Sequence, residues 1–306
     1  MGNFSDWAHP GSKGMGSGFA CHASALEKWR GCHYFLTFMA DPFDYRTMLE
    51  PPERPFDKEF MATLAKGLRV LELFGRERPS MTLSQAADLT QESRATARRI
   101  LHTLRTLGYV EQKGRDFFLT PRVLDLGFGW IASQTWIDRA QPVMRALTER
   151  FSESCYAAIL EGDEVVFVAH AASQRVMQNA IGVGARLTAF HTAVGRVMLG
   201  AIEEKQLMAM LRTAKLAPLT PLSITDRQAL FDRIRDDAAQ GFSIVDEEYE
   251  KGLRSLAVPV VARSGRTFAA LTITTPSTRM TRTEMRERFL GALKEAAEEV
   301  GSAVVT

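Results

Sequence analysis

The stretch SRATARRILHTLRTL, residues 93–107, constrains this chain most. Ala97, Ile100, Leu101, Leu104 and Leu107 recur at helical spacing and form one apolar stripe. Arg94, Arg98 and Arg105 fall on the opposite side, and Ala95, Thr96 and Arg99 complete the first turns. No acidic residue occurs between Ser93 and Val110. Such a helix must bury its stripe against neighbouring elements and leave a cationic surface outward.

The neighbours supply those elements. FMATLAKGLRVLELFGRER (60–78) carries Leu64, Leu68, Leu71 and Phe74 on one face, broadened by Val70 and Leu73, with Gly75 as a stop. Thr82 and Gln85 have capping-box spacing and open a short helix, SQAADL, followed by a polar turn, TQES. Gly108 ends the basic helix. YVEQ and DFFLT then alternate in polarity around Lys113-Gly114-Arg115 and read as a β-hairpin. Helix, short helix, helix, hairpin is the layout of a winged helix-turn-helix.

In that layout the start of the second helix of the pair enters the major groove. Arginine there suits guanine O6 and N7, and threonine suits a thymine methyl. Arg94, Ala95, Thr96, Arg98 and Arg99 are the candidate groove residues. Arg105 is placed for phosphate, and Lys113 and Arg115 for backbone or an adjacent groove. A solvated face alone would account for the arginines, but the flanking motifs favour DNA. From Phe60 to Thr120 there are ten basic residues against six acids, a local charge of +4 against +2 for the whole chain. The remainder is therefore mildly acidic, which fits a basic reading module on a neutralising body.

With 306 residues the chain has room for two domains. Residues 1–58 are rich in Gly, Pro, His and aromatics without lasting period and read as a flexible extension. Cys21-His22 and Cys32-His33 lack zinc-finger spacing, so no metal site is expected. The three cysteines, Cys21, Cys32 and Cys155, form no disulfide pattern, which points to the cytoplasm. HYFLTFMA is too short to span a membrane.

The winged helix is expected over 59–120 and a linker helix, opening with PRVLDLGFGWIASQ, over 121–137. A mixed α+β sensor domain follows over 138–306. Its first helix, VMRALTERF, is expected to begin near Pro142. CYAAIL, EVVFVAH, RVMQNAIG, SLAVPVVA and TFAALTITT read as strands. TAVGRVMLGAI, EKQLMAMLRTA, DRQALFDRIRDDAAQG and the C-terminal TRTEMRERFLGALKEAAEEVGSAVV read as helices. His170 and His191 stand alone and are expected in core or hydrogen-bonding roles. No nucleophile elbow, zinc helix, P-loop or dinucleotide fingerprint occurs, so neither catalysis nor a cofactor is expected.

LAKGLRVLELF, LSQAADLT, TARRILHTLRTLGYVEQ and LTPRVLDLG resemble the DNA-binding half of IclR-family transcription regulators. The resemblance continues through GVGARLTAFHTAVGRVML, VDEEYEKGLRSLAVPV and RTFAALTITTPSTRM, covering about Thr63 to the C-terminus. It implies a winged helix-turn-helix joined by a helix to a GAF-like α/β effector domain, assembled as a dimer or tetramer on a palindromic operator. It is nearest the subgroup regulating protocatechuate and other aromatic-acid catabolism. Val245 stands where regulators of small oxoacids tend to have a second acid, which argues against a glyoxylate-type ligand. Thr188-Ala189-Phe190 departs from the Pro-Ala-Tyr common in the aromatic-acid subgroup.

The implied effector is a small carboxylate, such as an aromatic acid or ring-cleavage product. Its candidate contacts are Thr192, the N–H groups of Ala193 and Val194 at a helix start, Val245, and the hydroxyls of Ser255, Thr272 and Thr274. Thr272 and Thr274 alternate with Ile273 and so face one side of a strand. Arg186 and Arg254 are expected to hold loops to Glu247 or Glu248. A regulator of another organic acid, an enzyme with a DNA-binding head and an architectural DNA binder are the competing readings.

Overall fold

A computed structural model describes residues 59–75, 78–173 and 181–304. The N-terminal part contains α1 (Ala62–Glu72), β1 (Ser80–Thr82), α2 (Leu83–Thr90), α3 (Arg94–Thr106), β2 (Val110–Lys113) and β3 (Asp116–Leu119). The expected capping box at Thr82 and Gln85 is present, with Gln85 N donating to Thr82 Oγ1 at 3.3 Å and Thr82 N to Gln85 Oε1 at 2.8 Å. Gln91 turns the chain between α2 and α3 in the left-handed region, at φ 56°. Ser93 caps α3 by accepting from Thr96 N at 3.1 Å.

Val70, Leu73, Phe74, Met81, Ala86, Ala87, Ala97, Ile100, Leu101, Leu104, Val110 and Phe117 form the core of this part. β1 was not expected; it joins the hairpin to give the antiparallel order β1-β3-β2. Two expectations need correction. Leu64 and Leu68 are 58% and 47% exposed, because α1 buries only its C-terminal half. Leu107 is also exposed, since it lies at the C-cap, past the last packed turn of α3.

Pro121–Val123 form a 3-10 turn that leads into α4 (Leu124–Ser133), and α5 runs Thr135–Phe151. α5 thus starts well before Pro142, which sits inside it. The stripe Trp136, Ile137, Ala140, Met144, Leu147 and Phe151 is buried throughout, and that burial offsets the roughly 3 kcal/mol an interior proline costs. Pro142 and Asp138, whose carbonyl loses its partner, both face solvent.

The sensor sheet comprises β4 (Ser154–Glu161), β5 (Glu164–Ala171), β6 (Arg186–Thr188), β7 (Ser243–Asp246), β8 (Leu253–Val261) and β9 (Thr267–Pro276), in the antiparallel order β6-β5-β4-β9-β8-β7. Against one face pack α5 and α9 (Arg282–Ser302), through Met144, Phe151, Phe289 and Leu293. Against the other pack α6 (Ala193–Leu199), α7 (Glu204–Thr213) and α8 (Arg227–Gln240), through Val194, Val197, Leu207, Leu230 and Ile234. Most of the strand expected at RVMQNAIG lies outside the described residues, while the short β6 and β7 were not expected.

Candidate functional site

On α3 the apolar stripe is turned inward, and Arg94, Ala95, Arg98, Arg99 and Arg105 are exposed. Arg94 donates to Ser84 Oγ on α2. Arg105 donates to Gln112 Oε1 at 2.8 Å, tying α3 to the wing. Lys113 pairs with Glu111 at 2.6 Å and lies over the Phe118 ring, beside exposed Arg115. The guanidinium groups of Arg98 and Arg99 make no ion pair or hydrogen bond among the described residues and stand exposed on the outer face. The Lys66–Glu92 pair, at 2.9 Å, ties α1 to the turn before α3.

In the sensor domain, strand register gathers four of the candidate effector residues. Ser154, Thr274, Ser255 and Val245 are successive partners across β4, β9, β8 and β7. In the adjacent row His170, Tyr156, Thr272 and Ala257 are partners across β5, β4, β9 and β8. Both rows lie on the face covered by α6, because Tyr156, Val245 and Ala257 share a core with Ala193 and Val194. Thr272 Oγ1 donates to Leu256 O at 2.8 Å, so towards a ligand it can only accept. Ser255 and Thr274 share one hydrogen bond of 3.0 Å, which leaves one O–H to donate.

Above this floor, α6 starts at Ala193. Thr192 caps it, accepting from Gly195 N at 3.2 Å and donating to Thr188 O at 3.0 Å. The hydroxyl of Thr192 is therefore committed to the frame. The N–H groups of Ala193 and Val194 belong to the first turn, which has no carbonyl four residues back. Gly195 is forced by close approach: a Cβ there would lie 2.0 Å from Ala189 O.

Arg196 is fully buried. Its Nε donates to Phe190 O at 3.1 Å, and its two terminal nitrogens grip the Glu248 carboxylate, with Nη1 at 3.0 Å from Oε1. Thr220 Oγ1 donates to Glu247 O at 2.7 Å and Ser223 Oγ to Glu248 O at 2.6 Å. This corrects the partners expected of the other arginines. Arg254 pairs with Asp246, its register partner, at 2.8 Å. Arg186 pairs with Glu161 and Glu164 at 2.9 and 2.7 Å, along the β5–β6 edge.

Burial pushes the imidazoles of His170 and His191 down, reinforced at His191 by the Arg196 charge. Among the described residues His170 Nε2 is buried without a hydrogen-bond partner, and the Ile224 backbone lies against the His191 ring. Ser154, Tyr156 and Arg196 escaped the sequence reading, which named His170 only for a core or hydrogen-bonding role and Glu248 only as a partner of Arg186 or Arg254. Register places Ser154, Tyr156 and His170. Arg196 carried a usable signal, as one charge inside the apolar run AVGRVML. An open groove of about 590 Å³ lies elsewhere, lined by Trp130, Gln134, Trp136, Arg266, Phe268 and Val304, and no candidate effector residue lines it.

Residues 63–114 match the IclR helix-turn-helix domain, and residues 129–302 match the C-terminal domain of bacterial transcriptional regulators of the IclR type. The chain belongs to the IclR family. This IclR-family regulator is 38% identical over 245 residues to the Pca regulon regulatory protein of Pseudomonas putida, covering 80% of this chain and 84% of that protein. It is 37% identical to a transcriptional regulator from Rhodococcus sp. RHA1 of known structure, with a TM-score of 0.72 over 79% of this chain and 97% of that one. A third relative is the inducer-binding domain of PobR from Acinetobacter, a double mutant solved with 3-hydroxybenzoic acid. It is 27% identical, with a TM-score of 0.53, covering 55% of this chain and 98% of that one. The IclR-family chain is thus a helix-turn-helix transcriptional regulator similar to regulators of aromatic-acid catabolism.

Proposed function

We propose that the protein binds operator DNA through α3 and the wing and releases or rearranges on DNA when a small aromatic carboxylate enters the sensor domain. The observation that carries the reading is the patch of hydroxyls, Ser255, Thr272 and Thr274, on the sheet face under the first turn of α6. The N–H groups of Ala193 and Val194 receive the carboxylate, Thr192 frames the turn, and the hydroxyl floor receives polar groups at the far end. Val245 adds apolar surface where an acid would repel an anion. The likeness to a Pca regulator and to an inducer domain holding 3-hydroxybenzoic acid supports control of aromatic-acid catabolism genes.

In this reading Arg94, Ala95, Thr96, Arg98 and Arg99 meet base edges, and Arg105, Lys113 and Arg115 meet phosphate. Residues 59–120 form the DNA-binding domain, 121–137 the linker and 138–306 the effector domain. The chain acts in the cytoplasm as a dimer or tetramer on a palindromic site, without cofactor or catalysis. No described helix is long and apolar enough to cross a membrane. The Cys155 thiol is buried and pushed up to about 12, so it is no nucleophile.

The test is a calorimetric titration of the full chain with benzoate, 4-hydroxybenzoate, 3,4-dihydroxybenzoate, β-ketoadipate and glyoxylate, beside operator binding at rising salt. Binding of an aromatic acid but not glyoxylate, with operator affinity falling steeply with salt, is the expected result. Glyoxylate binding alone would overturn the aromatic assignment.

A further inference from the structure

We propose that His170, backed by the Tyr156 ring, reads a ring hydroxyl on the effector and so selects hydroxylated aromatic acids over unsubstituted ones. The assignment rests on the sensor site proposed above and names its ligand class more narrowly. His170 is on β5 directly opposite Tyr156 on β4, and their rings are stacked at 4.4 Å with an interplanar angle of 1°. Tyr156 is 1% exposed and also makes a T-shaped contact with Phe167, at 5.8 Å. The imidazole is therefore held against a fixed wall rather than free to swing.

Its Nε2 atom is buried and has no hydrogen-bond partner among the described residues. A buried polar atom left unpaired costs free energy that a ligand group supplies back on binding. His170 lies in the row that contains Thr272, two strand spacings away, roughly 10 Å. Tyr156 stands between them in that row, so an aromatic acid that reaches both lies over the Tyr156 ring. Burial keeps the imidazole neutral, so Nε2 either donates or accepts. A phenolic hydroxyl matches both states. Thr272 adds a second acceptor for an O–H, because its own proton is given to Leu256 O. Thr272 offers no donor to a second carboxylate.

Calorimetric titration of the wild-type chain and a His170→Phe variant with benzoate, 4-hydroxybenzoate and 3,4-dihydroxybenzoate tests this. Phenylalanine keeps a flat ring against Tyr156 and removes both nitrogens. The expected result is a loss of about tenfold or more for the hydroxylated acids, with benzoate unchanged. An equal loss for all three acids makes His170 a packing residue and overturns the proposal, as does no loss at all. In the wild-type chain the nitrogen-15 resonance of His170 Nε2 should move with 4-hydroxybenzoate and stay with benzoate. This holds even if the variant does not fold, and an unmoved resonance overturns the assignment. Failure of the wild-type chain to bind any of the three acids overturns the aromatic reading itself, and this assignment with it.

Discussion

Arg196 has no solvent exposure, and its only ionic partner among the described residues, Glu248, sits on the loop after β7. Removing one member of such a pair leaves the other charged and buried. Arg196→Met should therefore destabilise the fold by about 3–5 kcal/mol, read from urea denaturation. Arg196→Met combined with Glu248→Met should recover much of that loss, since no buried charge then remains unpaired. A single variant as stable as wild type would show that water reaches the pair. Arg98 is the opposite case, exposed and unengaged on α3. Arg98→Ala should leave stability unchanged and weaken operator binding by about 1–3 kcal/mol, measured by fluorescence anisotropy. Undiminished binding would remove Arg98 from the groove.

At the scale of elements, α6 depends on one missing side chain. The turn between β6 and α6 passes so close to Gly195 that a methyl group there would overlap the Ala189 carbonyl. Gly195→Ala should cost at least about 1–3 kcal/mol and displace the first turn of α6, lowering ligand affinity as well as melting temperature. Unchanged values for both would mean that the turn yields without cost. Helices with long apolar stripes, such as α3 and α9, were legible in the sequence because their period repeats several times. β1 and β6 were not, because three residues cannot establish alternation. The onset of α5 was misjudged because Pro142 looked like a start signal, while the stripe before it was already helical.

For the whole molecule, the candidate effector residues could be named only through family resemblance. The β4–β5 hairpin sets His170 opposite Tyr156, but nothing in the order of residues puts Thr272 on the other side of Tyr156; that follows from pairing of β4 with β9, more than a hundred residues on in the chain. Long-range register also sets the pH response. His170 and His191 are held neutral, with affinities for protons below the usual 6.5 of an unfolded imidazole. Below that pH the unfolded chain binds more protons, so the stability they contribute is full above about 6.5 and is lost as pH falls towards their folded values. The melting temperature should therefore drop between pH 7 and pH 5, and His191→Gln should flatten the slope. A slope identical in His191→Gln would exclude it as a source.

The alternation of the sensor strands carries a consequence for how such proteins diversify. Ser154, Tyr156, Thr272 and Thr274 face α6, whereas Cys155, Leu271 and Ile273, set between or beside them, face α5 and α9. The two sets share backbone but hardly share side-chain neighbours, so substitutions in one add to those in the other with little coupling. Substitutions in these two adjacent rows can therefore alter the face under α6 while leaving the packing against α5 and α9 intact.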